Sequence, residues 1–132
     1  MIIVNLKQNS LRTTSFIPDD STYLISGIVN WRLTVQPNVW RPLTDVFETQ
    51  DSFVVRVEIA GMKESDFSIT LDNQILSISG IRPDFPERKA FYQMEIHFGE
   101  FGSEIEIPGP VDQDRVEAVY QDGFLRVNLP KA

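Results

Sequence analysis

The side chains best suited to catalysis are sparse in this sequence. His97 is the only histidine and cysteine is absent, so no thiol or second imidazole completes a metal site around it. No Gly-x-Ser-x-Gly elbow supplies a serine for it to activate either. A lone histidine of this kind reads as a strand-end or loop residue. Asp112 and Asp114 lack the further oxygen ligands and central glycine of a calcium loop, and read as turn-capping residues. Gly99 and Gly102 flank Glu100-Phe101 without the following Lys-Ser/Thr of a phosphate loop and outside any dinucleotide fingerprint. Carboxylates are plentiful, yet nothing selects a pair for acid–base work. The expectation is a protein that is no enzyme and uses no metal and no cofactor, ATP included.

Bulk properties narrow the alternatives. A chain of 132 residues with 42% apolar content is one domain's worth and can bury a core without metal or disulfide. Its net charge of −7 argues against nucleic acid, which demands Lys and Arg along the phosphates. No run approaches the roughly 18 apolar residues of a membrane span, and the start, Met1-Ile2-Ile3-Val4-Asn5-Leu6-Lys7, does not read as a signal peptide. A cytoplasmic protein with no membrane partner is the default expectation. Charge is unevenly spread: residues 1–38 carry three basic and two acidic side chains, residues 39–132 nine and seventeen. The upstream part is poor in charge and rich in apolar residues, among them Phe16, Ile17, Tyr23, Leu24 and Trp31. A surface of that kind is costly when exposed, so it packs on something or binds something.

From Asp45 onward the pattern is alternation, the mark of half-buried strands. Phe53, Val55, Val57 and Ile59 fall on one face with Val54, Arg56 and Glu58 between them, and Phe67, Ile69 and Leu71 alternate with Ser68 and Thr70. Asp72-Asn73-Gln74 provides a turn before the return strand 75–80. Ile105 and Ile107 alternate with Glu104 and Glu106 until Pro108 stops them, and Asp122-Gly123 is the favoured pair for a type I′ turn between two further strands. A helical turn is expected over residues 113–115, capped by Asp112. Seven or eight short strands without a long helical period predict an all-β, antiparallel β-sandwich.

These residues resemble the small heat shock proteins through their α-crystallin domain. Ala118-Val119-Tyr120-Gln121-Asp122-Gly123-Phe124-Leu125, followed by Leu129-Pro130-Lys131, is similar to the family's Ala-x-x-x-Asn-Gly-Val-Leu and Leu-Pro-Lys signature. Pro42-Leu43-Thr44-Asp45-Val46-Phe47 resembles the opening strand, Ala60-Gly61-Met62 with Asp66-Phe67-Ser68-Ile69 resembles the following hairpin region, and Leu76-x-Ile78-x-Gly80-x-Arg82 also fits. The resemblance runs from about Arg41 to Lys131. It implies an immunoglobulin-like sandwich over residues 41–132 preceded by an apolar arm over residues 1–40.

The resemblance further implies an ATP-independent holdase that hides exposed apolar segments of partly unfolded proteins. The arm residues Phe16, Ile17, Tyr23, Leu24, Trp31 and Trp40 would contact clients. So would a groove between the sheets lined by Ile69, Leu71, Val116, Ala118 and Tyr120. The long stretch between Gly80 and Phe101, with Phe91, Tyr92, Met94 and Ile96, resembles the loop strand that pairs with the first strand (Val46, Phe47) of a second subunit. It implies a strand-exchanged homodimer and leaves room for a higher oligomer. Arginines common in the family's next strand are replaced by Ser103 and Glu106. Relatives usually continue into an Ile-x-Ile tail that fills a neighbour's groove, whereas this sequence ends at Ala132, and Ile2-Ile3-Val4 or Leu33-Thr34-Val35 would be its substitute. A dimeric adaptor that recognises one partner is the alternative function.

Overall fold

The computed structural model describes residues 2–7 and 39–132. Two sheets face each other. One runs β1 (Ile2–Ile3), β5 (Phe67–Asp72), β6 (Ile75–Arg82), β7 (Gly99–Glu106); the other runs β2 (Leu6–Lys7), β8 (Glu117–Gln121), β9 (Phe124–Pro130), β4 (Ser52–Glu58), β3 (Thr44–Glu48). Pairing among the described strands is antiparallel except that β2 runs parallel to β8.

Alternation explains how the sheets stack. Val55 pairs with Val127 and Val57 with Leu125 across β4 and β9, while Ile69 pairs with Ile78 and Leu71 with Leu76 across β5 and β6. All eight side chains are buried, so one face of each sheet supplies the core. Both residues of the turn between β8 and β9, Asp122 and Gly123, have positive φ, as a type I′ connection requires. The expected helical turn is a 3-10 turn over Gln113–Arg115, whose Asp112 carboxylate accepts from the Asp114 amide.

Chain from the amino-terminal part closes the sandwich at both sides. At one side residues 2–7 pair first with β5 and then with β8. At the other, Trp40 forms a parallel bridge with Phe101: its amide donates to the Glu100 carbonyl at 3.1 Å, and its carbonyl accepts from the Gly102 amide at 2.9 Å. Four residues later β3 begins on the opposite sheet.

Two expectations need correction. Trp40, grouped with a contact arm, is packed on the domain. The stretch 91–96, expected to pair with the first strand of a second subunit, forms no strand with the described residues of its own chain. Val54, on the outward face of β4, is fully buried; it stands opposite Phe47 and Asn128 on the adjoining strands, which cover it.

Candidate functional site

Without residues 1–7, β5 and β8 would be the facing edges of the two sheets and the core would open between them. The five groove residues expected from the sequence lie there: Ile69, Leu71 and Ala118 are buried, and Val116 and Tyr120 pack against the same cluster. Residues 2–7 fill the gap. Ile2 is in register with Leu71 and Ile3 with Thr70, the Val4 amide donates to the Ile69 carbonyl at 2.8 Å, and Leu6 is in register with Ala118. Val4 is 5% exposed and Leu6 2%, whereas Ile3 and Asn5 face outward. This is edge-strand addition with alternate side chains seated in the groove.

Burying Val4 and Leu6 is worth about 5 kcal/mol, and each backbone hydrogen bond adds about 1 kcal/mol. Ordering six residues costs about 9 kcal/mol. The terms nearly cancel.

Tyr120 does more than line the groove. Its hydroxyl donates to the Ile59 carbonyl at 2.7 Å and accepts from the Met62 amide at 3.3 Å, so it fixes the connection between β4 and β5 at the groove's end. Sequence reasoning named Ile2 and Val4 as an insert but missed Leu6, although continuing the alternation two residues onward would have found it. Leu33 and Val35, the other insert considered, lie outside the described residues, as do Phe16, Ile17, Tyr23, Leu24 and Trp31.

The second surface is the outer edge of β3 with the loop over residues 83–98. Val46 is 42% exposed on that edge. Phe47 is held between two guanidinium groups, Arg56 at 5.4 Å and Arg126 at 5.8 Å from its ring centroid. In the loop Phe91, Tyr92, Met94 and Ile96 are all exposed. The loop's root is tied down: Arg82 Nε donates to the His97 carbonyl at 2.8 Å, and the His97 ring stacks on Trp40 at 5.1 Å. Its front is braced by Lys89, which pairs with Asp84 at 3.0 Å and donates to the Phe85 carbonyl at 2.9 Å. The hydrogen bond from Lys89 is the largest influence holding the Asp84 carboxyl below its ordinary pKa.

Ser103 is buried and accepts from Arg41 Nε at 3.2 Å, so a guanidinium from the segment before β3 reaches β7. Among the described residues no three His, Cys, Asp or Glu side chains gather to hold a metal. Nor is any described helix long and apolar enough to cross a membrane.

Comparison with known proteins agrees with this geometry. The sequence profile described as "Hsp20/alpha crystallin family" matches residues 45–132. "Small heat shock protein C2" of Rickettsia felis is 32% identical over 92 residues, 68% of this chain and 60% of that protein; the chain thus aligns with less than two thirds of that relative's length. "Heat shock protein 16" of Schizosaccharomyces pombe is 36% identical over 129 residues, covering 92% of this chain and 90% of that one. The solved structure of heat shock protein 16.0 from Schizosaccharomyces pombe superposes with a TM-score of 0.64 at 35% identity, over 70% of this chain and 87% of its own. With β4 through β9 all inside the matched residues, the chain belongs to the Hsp20/alpha crystallin family.

Proposed function

We propose that this protein is an ATP-independent holdase that binds partly unfolded proteins and keeps them from aggregating. The observation that carries the reading is that its distinctive features are sheet edges with apolar side chains. Adhesion to extended, apolar chain is what such edges do. The groove between β5 and β8 is one client surface in this reading, and the apolar stretch 8–38, with Phe16, Ile17, Tyr23, Leu24 and Trp31, is the other. The acidic sandwich keeps a loaded complex in solution. A cytoplasmic setting, which a cysteine-free fold tolerates, belongs to the same reading.

The working unit we propose is a homodimer formed by exchange of the 83–98 loop, able to assemble further. Support comes from complementary needs: the edge of β3 presents Val46, and the loop presents Phe91, Tyr92, Met94 and Ile96 to solvent. Pairing residues 91–96 with β3 of a second copy would extend the five-stranded sheet and cover both.

Light scattering during heat aggregation of two unrelated model proteins tests the function. Suppression of both, without nucleotide, is the expected result. No effect on either would overturn the holdase reading and favour an adaptor devoted to one partner.

A further inference from the structure

The outer face of the five-stranded sheet gathers cations in an otherwise acidic domain. Residues 39–132 carry nine basic and seventeen acidic side chains, yet Arg56 on β4 and Arg126 on β9 stand directly opposite one another. Like charges in that relation work against the pairing of the two strands. The row continues to Asp45 on β3 and to Val119 on β8. Both guanidinium groups also contact the Phe47 ring, which restricts where the two forks can go. Their partners are unequal. Arg56 Nη2 meets the Asp45 carboxylate at 2.5 Å. Arg126 is exposed and, among the described residues, forms no ion pair and no side-chain hydrogen bond. Two guanidinium groups against one carboxylate leave a single positive charge uncompensated.

We infer that Arg56 and Arg126 form a docking site for the carboxylate of a Glu or Asp side chain in an exposed segment of a protein partner. Charge selects the ligand: a carboxylate cancels the single excess charge, whereas a phosphate group, with nearly two negative charges, exceeds it. A planar carboxylate also matches the guanidinium fork, from which it accepts two parallel N–H bonds. Phe124 extends the site. It lies two residues from Arg126 on the same face of β9, about 7 Å along the strand, and is 41% exposed. An extended segment with a carboxylate and an apolar side chain two residues apart meets both. Val55, Val57, Leu125 and Val127 alternate with these residues and are buried in the core, so the site lies on the opposite face of the sheet from the groove. It is also distinct from the open edge. In the order β2-β8-β9-β4-β3 the two arginines stand on interior strands, and a second copy pairing along β3 leaves them uncovered.

This inference goes beyond the holdase reading and does not depend on it, and its test uses no unfolded client. The probe is a fluorescently labelled, capped peptide, Gly-Glu-Gly-Phe-Gly, whose anisotropy is followed as the full chain is added. A control peptide carries Gln in place of Glu, and inorganic phosphate serves as a competitor. The Glu peptide is expected to bind at least tenfold more tightly than the Gln peptide, and phosphate to compete poorly. Arg126→Gln should weaken binding of the Glu peptide at least tenfold, and Arg56→Gln should weaken it as well. Arg126→Lys should recover only part, because an ammonium keeps the charge without the fork. Both positions are exposed, and removing one of two opposed charges offsets the lost ring contact, so Arg126→Gln should keep its melting temperature within about 3 °C of the unmodified chain. Equal binding of the Glu and Gln peptides, no binding of either, binding unchanged by Arg126→Gln, or equal competition by phosphate would each overturn the carboxylate site. A large fall in the melting temperature of Arg126→Gln would also overturn it, since the arginine would then be cover for the sheet. Aggregation assays report separately on the holdase reading, so the two can fail independently.

Discussion

The guanidinium carbon of Arg82 lies 4.7 Å from the centroid of the Trp40 ring. The same side chain donates to the His97 carbonyl and to the Ala60 carbonyl, and Phe98 flanks it at 5.4 Å. Arg82 therefore joins three things: the end of β6, the returning end of the 83–98 loop, and the segment that leads into β3. Trp40, whose buried ring nitrogen has no hydrogen-bond partner, depends on that stacking for its placement. Arg82→Met keeps the length of the side chain and removes the charge and the fork. It is expected to cost about 1–2 kcal/mol, the sum of a partly exposed cation–π contact and a charged hydrogen bond. In a Trp31→Phe background, Trp40 emission should shift to longer wavelength. An unchanged spectrum would mean that Arg82 does not hold the ring. Arg82→Lys should restore only part of the effect, because an ammonium cannot stack and bind the carbonyl in the same fork.

Two glycines separate close packing from backbone conformation. A Cβ on Gly80 would lie 2.3 Å from the Asp66 carbonyl oxygen and 2.8 Å from the Phe101 ring, both rigidly held. Gly80→Ala should lose about 3 kcal/mol, as overpacking against backbone does, and lower the melting temperature by on the order of 10 °C. Gly99 has φ of +90° but nothing within 4 Å of its would-be Cβ. Gly99→Ala should cost only about 1 kcal/mol, the conformational strain alone. Equal melting temperatures for the two variants would contradict this division.

The legible parts of the fold are those where one physical signal acts alone. Strands β4, β5, β6 and β9 were readable because each buries one face, and the β8–β9 turn because only residues such as Asp122 and Gly123 accept positive φ in succession. The groove residues Ile69, Leu71 and Ala118 came from the family resemblance, and they sit together. What stayed hidden depends on partners far along the chain. Leu6 meets Ala118 through a two-residue parallel ladder, too short to leave a periodic trace. Trp40 looked like part of the apolar arm because composition does not register a single bridge to Phe101. The stretch 91–96 carries the residue types of a strand, but a strand exists only where a neighbour supplies hydrogen bonds.

The 3-10 turn at residues 113–115 gives a pH signature. Arg115 Nε donates to Asp112 at 2.8 Å, and with the Asp114 amide it holds the Asp112 carboxyl below its ordinary value of 3.8. A depressed folded-state pKa means that the ionised form favours folding. The contribution is complete above about pH 5 and is lost as pH falls through the folded-state value. Asp112→Ala should therefore melt lower than the native protein at pH 6 and approach it as pH falls toward 3. A gap that stays constant across that range would rule out the ionised carboxylate as its source.

Exposure in the loop separates assembly from stability. Phe91, Met94 and Ile96 are each more than half exposed and belong to no ladder among the described residues. Burying them against a second copy is the favourable term that strand exchange would supply. If the proposed exchange holds, Phe91→Ser with Met94→Ser and Ile96→Ser should convert the proposed dimer to a monomer by native mass measurement, weakening self-association by at least 100-fold. The same variant should keep the circular dichroism of the sandwich, since the core from Val55 to Leu129 does not touch these side chains in one subunit. Concentration gives a further check: the native protein should melt at a temperature that rises with concentration, as a coupled dimer must, and the triple variant should not. If the variant remains dimeric, the partner contact lies elsewhere, and the open edge at Val46 would have to be covered by some other segment.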